Sequence, residues 1–125
     1  MPIALRIADG LVAFTLSGQT TPRRVPAALE AALSDPTQSL AVGLLLHDTG
    51  STYNPTYDEV VDLARLLGRL GDRFGRRAAF VAVMPVHYGI GRMLGVFAEC
   101  LGIDFRVFRD LAVAEAWLIG PQEGQ

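Results

Sequence analysis

The run Leu40-Ala41-Val42-Gly43-Leu44-Leu45-Leu46 decides how this chain folds. It shows no polar alternation and is bounded by turn signals, Asp35-Pro36 before it and Asp48 to Pro55 after it. Such a run suits a strand covered on both faces rather than one with a wet side. A second run of the same kind, Ala78 to Met84, is stopped by Pro85. Two buried strands separated by a helical pattern indicate a parallel sheet with crossover helices.

Outward from these runs, the remaining elements fall into order. Ile3 to Ile7 and Leu11 to Leu16 read as strands joined by the turn signal Asp9-Gly10, an antiparallel hairpin. Pro26 fits only the first turn of a helix, so the helix that reaches Leu33 starts near Val25, and Asp35-Pro36 ends it. Thr56 and Glu59 have capping-box spacing before a helix with Val60, Val61, Ala64, Leu67 and Leu70 on one stripe. Ile90, Met93, Leu94, Phe97, Ala98 and Leu101 recur at helical spacing, with Gly102 placed as the C′ residue. Ile103 to Phe108 is the last strand, and Asp110 caps a final helix ending at Ile119-Gly120-Pro121. The expected architecture is α/β, in the order β-β-α-β-α-β-α-β-α, with a mixed, mostly parallel sheet of four to five strands. Residues 1–120 form one domain in this reading, and 121–125 a polar tail.

Composition narrows the function classes. The chain has 125 residues, half of them apolar, and a net charge of −2. Its mean hydropathy of +0.31 is high for a globular protein. That fits a sheet covered on both faces, or an added apolar surface for a twin subunit, a lipid or a membrane. Nucleic-acid binders carry a basic surplus, which this chain lacks. The arginines at 69, 73, 76 and 77 surround Asp72 and read as a solvated helix end. Cys100, His47 and His87 have no zinc-ligand spacing, no metal or cofactor is expected, and Cys100 reads as a small buried hydrophobe. No run approaches the length of a membrane span and the N-terminus has no signal-peptide pattern, so a cytoplasmic location is expected.

The order of elements, and the segments Ala78-Ala79-Phe80-Val81-Ala82-Val83-Met84, Tyr88-Gly89-Ile90-Gly91-Arg92-Met93 and Phe105-Arg106-Val107-Phe108-Arg109-Asp110 through Ala114-Glu115-Ala116-Trp117-Leu118, carry a resemblance. The chain resembles the STAS domain (sulfate transporter and anti-sigma-factor antagonist). More narrowly it is similar to the bacterial STAS/SEC14-like, sporulation-antagonist-like proteins. The resemblance implies a mixed sheet with helices, a non-enzymatic regulatory or binding role, and protein or lipid-like partners. Antagonist-type STAS domains are switched by phosphorylation of a serine in an Asp-Ser-Ser/Thr-Gly motif before the second helix. The corresponding stretch here, Asp48-Thr49-Gly50-Ser51-Thr52-Tyr53-Asn54-Pro55, keeps an aspartate and hydroxyls but not that motif. Ser51 and Thr52 are the hydroxyls that stand in its place.

Two loops leave the carboxyl ends of the buried strands, where open α/β sheets bind ligands. Asp48, Ser51, Thr52 and Tyr57 lie on the first; His87, Tyr88 and Arg92 lie on the second, which opens a helix. These seven are the expected ligand- or partner-binding residues. The alternative for Asp48 and Ser51 is local turn chemistry, and for Gly89 and Gly91 it is tight helix packing. The chain contains neither a Gly-x-Ser-x-Gly elbow nor a Walker loop. The leading expectation is a homodimeric, non-catalytic module that binds a protein partner through the strand-end loops. The alternatives are a lipid or apolar small-molecule binder, which needs a closed apolar pocket, and a small hydrolase using His87.

Overall fold

The structure, a computed structural model, describes residues 3–36 and 40–120. Strands β1 (Ile3–Ala8), β2 (Leu11–Leu16), β3 (Gly43–Asp48), β4 (Arg77–Ala82) and β5 (Asp104–Phe108) form one sheet in the order β1-β2-β3-β4-β5. β1 runs antiparallel to β2, and every later pairing is parallel. Helices α1 (Arg24–Leu33), α2 (Tyr57–Leu70) and α3 (Pro85–Cys100) connect successive parallel strands, and α4 (Leu111–Ile119) follows β5. Parallel crossovers of one hand that step the same way along the sheet put their helices on one face, and α1, α2 and α3 share one core cluster. α4 is left to cover the other. The mixed five-stranded sheet and four helices are the architecture expected from the sequence.

Alternation along the strands divides the apolar residues between the two faces. Val12, Phe14, Leu16, Leu44, Leu46, Ala78, Phe80, Ala82 and Phe105 pack with α1, α2 and α3 in the larger core. Leu45, Ala79 and Val81 meet Ala114 and Leu118 of α4 in the smaller one. Both sides of β3 and β4 are therefore dry, which is why these two segments read as unbroken apolar runs.

The hairpin closes through Asp9 (φ 57°) and Gly10 (φ 79°), both left-handed, as a two-residue turn between right-twisted strands requires. The Thr56–Glu59 capping box is formed in both directions, and Asp110 caps α4 by accepting from the Val113 N–H at 3.2 Å.

Several boundaries shift from the sequence expectation. β3 begins at Gly43 rather than Leu40, because the Ala41 and Val42 N–H groups donate to the carbonyls of Arg73 and Gly10, outside the ladder. Leu40 and Val42 are exposed. Val83 and Met84 lie outside β4. Met84 takes extended angles as N-cap, and α3 starts at once with Pro85, whose missing N–H suits a first helical turn. A short 3-10 turn, Gly71–Phe74, follows α2 and has no sequence counterpart. The arginine cluster is not simply a solvated helix end. Arg73 donates to the carbonyls of Leu33 and Asp35, and Arg77 lies over the Trp117 ring at 4.1 Å while donating to the Trp117 carbonyl at 2.8 Å. Cys100 is exposed rather than buried. It sits two residues beyond Ala98, so the helical turn carries it off the face defined by Ile90, Leu94 and Ala98. The expected polar tail at 121–125 lies outside the described residues.

Candidate functional site

Asp48 is the last residue of β3, and its position in the alternation points it toward the α2–α3 face. Its side chain is completely buried. Oδ1 accepts from the backbone N–H groups of Gly50 (2.8 Å) and Ser51 (2.9 Å), and Oδ2 accepts from the Ser51 hydroxyl (3.1 Å). The loop can turn back on its own aspartate because Gly50 takes φ 99°, a left-handed value suited to glycine. The Ser51 hydroxyl in turn accepts from the Tyr53 N–H at 3.1 Å.

His87, in the first turn of α3, approaches the same group from the neighbouring strand end. It is 3% exposed. Its Nε2 lies 3.0 Å from the Tyr53 carbonyl, which can only accept, so Nε2 carries the hydrogen. Its Nδ1 lies 3.5 Å from Asp48 Oδ1 and makes no hydrogen bond. Asp48, Ser51, the Tyr53 carbonyl and His87 thus form a buried polar lock that ties the loop after β3 to the start of α3. The Tyr53 ring is itself 2% exposed. Burial raises its phenol above the ordinary value near 10, and the carboxylates of Glu59 and Asp48 push it the same way.

Thr52 extends the connection to a third loop. Its N–H donates to the Gly18 carbonyl, and its hydroxyl accepts from the Thr20 N–H at 2.9 Å. The other expected residues lie elsewhere. Tyr57 is exposed, meets Phe97 edge to face at 5.6 Å, and borders an open groove of about 610 Å³ between α2 and α3. Tyr88 and Arg92 border a shallow hollow of about 220 Å³ beside Phe105 and Val107. The guanidinium of Arg109 stacks on the Tyr88 ring at 4.3 Å. The seven residues therefore divide among a buried lock, a loop stitch and two separate grooves.

This geometry bears on acyl-transfer chemistry. A serine nucleophile needs its hydroxyl against a histidine nitrogen. Here the Ser51 hydroxyl donates to Asp48, and the His87 Nε2–H donates to a backbone carbonyl. Both side chains are buried. Among the described residues no cluster of three His, Cys, Asp or Glu side chains could hold a metal. None of the described helices is long and apolar enough to cross a membrane.

The sequence reading missed an apolar patch near the lock. Val83, Met84 and Val86 are exposed, and a Cβ built on Gly50 would lie 3.9 Å from the Met84 sulfur. The Met84 side chain of this patch thus approaches Gly50 in the loop that Asp48 folds. Its signal was present in Val83-Met84-Pro85-Val86, apolar residues beyond the last ladder position. Also missed was an open, mostly apolar groove of about 510 Å³ between β1 and α1, with Leu5 and Ile7 on one side and Ala27 and Ala31 on the other.

No protein-family model and no curated protein matches the chain. A solved structure does: an uncharacterized protein of the DUF3478 family with a SpoIIAA-like fold, from Shewanella loihica PV-4. The two are 21% identical, the alignment covers 93% of this chain and 91% of the other, and the TM-score is 0.60. At that identity the likeness carries the architecture: the chain has a SpoIIAA-like, STAS-type fold.

Proposed function

We propose that this chain is a non-catalytic binding module that recognises a protein partner through the surface at the carboxyl ends of β3 and β4. One observation carries the reading. The polar groups that could do chemistry there, Asp48, Ser51 and His87, are buried and bonded within the lock, while Val83, Met84 and Val86 stand exposed beside it. A rigid foundation under an exposed apolar patch is what a protein-recognition surface requires. Thr52, Tyr88, Arg92 and Arg109 supply polar groups around it. Tyr57 belongs to a separate groove and extends the surface only for a large partner. The module acts in the cytoplasm and as a homodimer.

A second reading has its own support. The groove between β1 and α1 is apolar and large enough for an acyl chain, although it is open rather than closed. Native mass spectrometry of the protein purified from its own host separates the two readings. Masses of the polypeptide alone are expected. A retained apolar molecule of defined mass supports the carrier reading instead.

A further inference from the structure

We infer that the second copy in the homodimer pairs along the outer edge of β1, antiparallel, with the two α1 helices side by side above the joined sheet. This deepens the homodimeric part of the reading above and rests on it.

The hairpin fixes which way the β1 backbone faces. Its two-residue turn makes Ala8 and Leu11 the closing pair, so the N–H and C=O groups of Ala8, Arg6 and Ala4 face β2. Those of Ile3, Leu5 and Ile7 face away, and no described strand pairs on that side. Exposed edges are usually guarded by charged side chains, proline or a bulge. Of these, β1 carries only Arg6 between Ile3 and Ala8. Its one charge, Arg6, lies 3.7 Å from Glu115 of α4, on the opposite face. Leu5 and Ile7, 49% and 47% exposed, line the groove beneath the alanine side of α1.

Charge selects the occupant. The N-terminal end of α1 is charged against its dipole. Arg23 and Arg24 stand at its positive end with no acid in the first turn, and Asp35 follows its negative end, where Arg73 supplies a cation by donating to the Leu33 and Asp35 carbonyls. A second α1 running antiparallel brings opposite ends together. Arg24 and Asp35 both line the groove and flank opposite ends of α1, so a two-fold axis near Leu5 sets each copy's Arg24 toward the other's Asp35. Arg24 makes no ion pair among the described residues, while Asp35 keeps its own contacts and has carboxylate oxygens able to accept several donors. An acyl chain would fill the apolar space and a fatty-acid carboxylate could reach Arg24, but neither would pair with the outward N–H and C=O groups of Ile3, Leu5 and Ile7.

The test is sedimentation equilibrium of the full chain from about 1 to 100 μM. The wild type is expected to be a dimer. Leu5→Pro removes an outward N–H without touching the β1–β2 ladder, and is expected to give monomers with an unchanged far-UV spectrum. Arg24→Glu places like charges together at two symmetric points, and is expected to raise the dimer Kd at least about tenfold with an unchanged far-UV spectrum. A wild type that is monomeric at 100 μM overturns both this interface and the homodimeric reading. A dimer that neither variant weakens overturns the interface alone. A monomer that carries an acyl-chain mass in native spectra overturns it in favour of a lipid occupant.

Discussion

Replacing Asp48 tests the lock, and the structure sets the size of the effect. The carboxylate accepts three hydrogen bonds, two from backbone N–H groups and one from the Ser51 hydroxyl. Asp48→Ala removes all three acceptors. Gly50 is exposed, so its N–H is rehydrated at little cost. The Ser51 N–H and hydroxyl are buried, and each orphaned donor costs about 1–3 kcal/mol. Removing a buried charge returns part of this, which leaves about 3 kcal/mol. With a urea m-value of about 1.5 kcal/mol/M, the unfolding midpoint falls by about 2 M. Asp48→Asn keeps one oxygen for the two backbone donors and loses the acceptor for the Ser51 hydroxyl alone. Its loss is smaller, about 1 kcal/mol. Urea unfolding followed by circular dichroism gives both values, and amide exchange at Ser51 reports the loop directly. An Ala variant within about 0.5 kcal/mol of wild type, or an Asn variant as damaged as the Ala one, would refute the hydrogen-bond account of the lock.

Two glycines on α3 separate in the same assay. A Cβ at Gly91 would lie 2.8 Å from Phe80 Cδ1, so Gly91→Ala is expected to cost about 1–3 kcal/mol, whereas Gly89 faces open space and Gly89→Ala is expected to gain up to about 1 kcal/mol. His47 titrates below its ordinary value of 6.5 because of burial, against the opposing pull of Asp48 and Glu115. The unfolded chain therefore takes up the proton first, and stability drops as pH falls from about 6.5 toward the lower folded value; His47→Gln is expected to flatten that acid slope in pH-dependent melts. Arg77 holds the C-terminal turn of α4 by donating to the Trp117 carbonyl at 2.8 Å, and is itself fixed by Asp104 of β5 at 3.1 Å. Arg77→Lys is expected to lose about 1–2 kcal/mol and to shift the fluorescence of Trp117, the chain's one tryptophan.

What was legible in the sequence followed from strong local physics. The apolar runs at 40–46 and 78–84 announced strands dry on both faces, and the capping residues Thr56 and Asp110 fixed two helix starts. Boundaries moved where tertiary bonds competed with the pattern, as at Ala41 and Val42, whose N–H groups donate to Arg73 and Gly10. Pro85 was read as a strand stop but also began α3, since a proline ends one element and suits the first turn of the next. That shift placed His87 on a helix, facing inward. Asp48, Ser51 and His87 were singled out by residue type and by their place at strand ends, and the structure brings them together. Their burial was hidden, because polar side chains in a turn-rich segment read as exposed. The groove of Leu5 and Ile7 was also hidden: an edge strand half covered by a helix has the same alternation as one fully covered.

The most direct test of the central claim is site-specific photo-crosslinking in the protein's own host. A photoreactive phenylalanine analogue is placed at Met84 and at Thr52, both exposed at the strand ends, and as a control at Arg65 on the outer side of α2. The account predicts one discrete protein adduct, shared by the first two positions, absent at Arg65, and lost when Val86→Asp is added. Adducts equally strong at Arg65, or none at Met84 and Thr52, would contradict it.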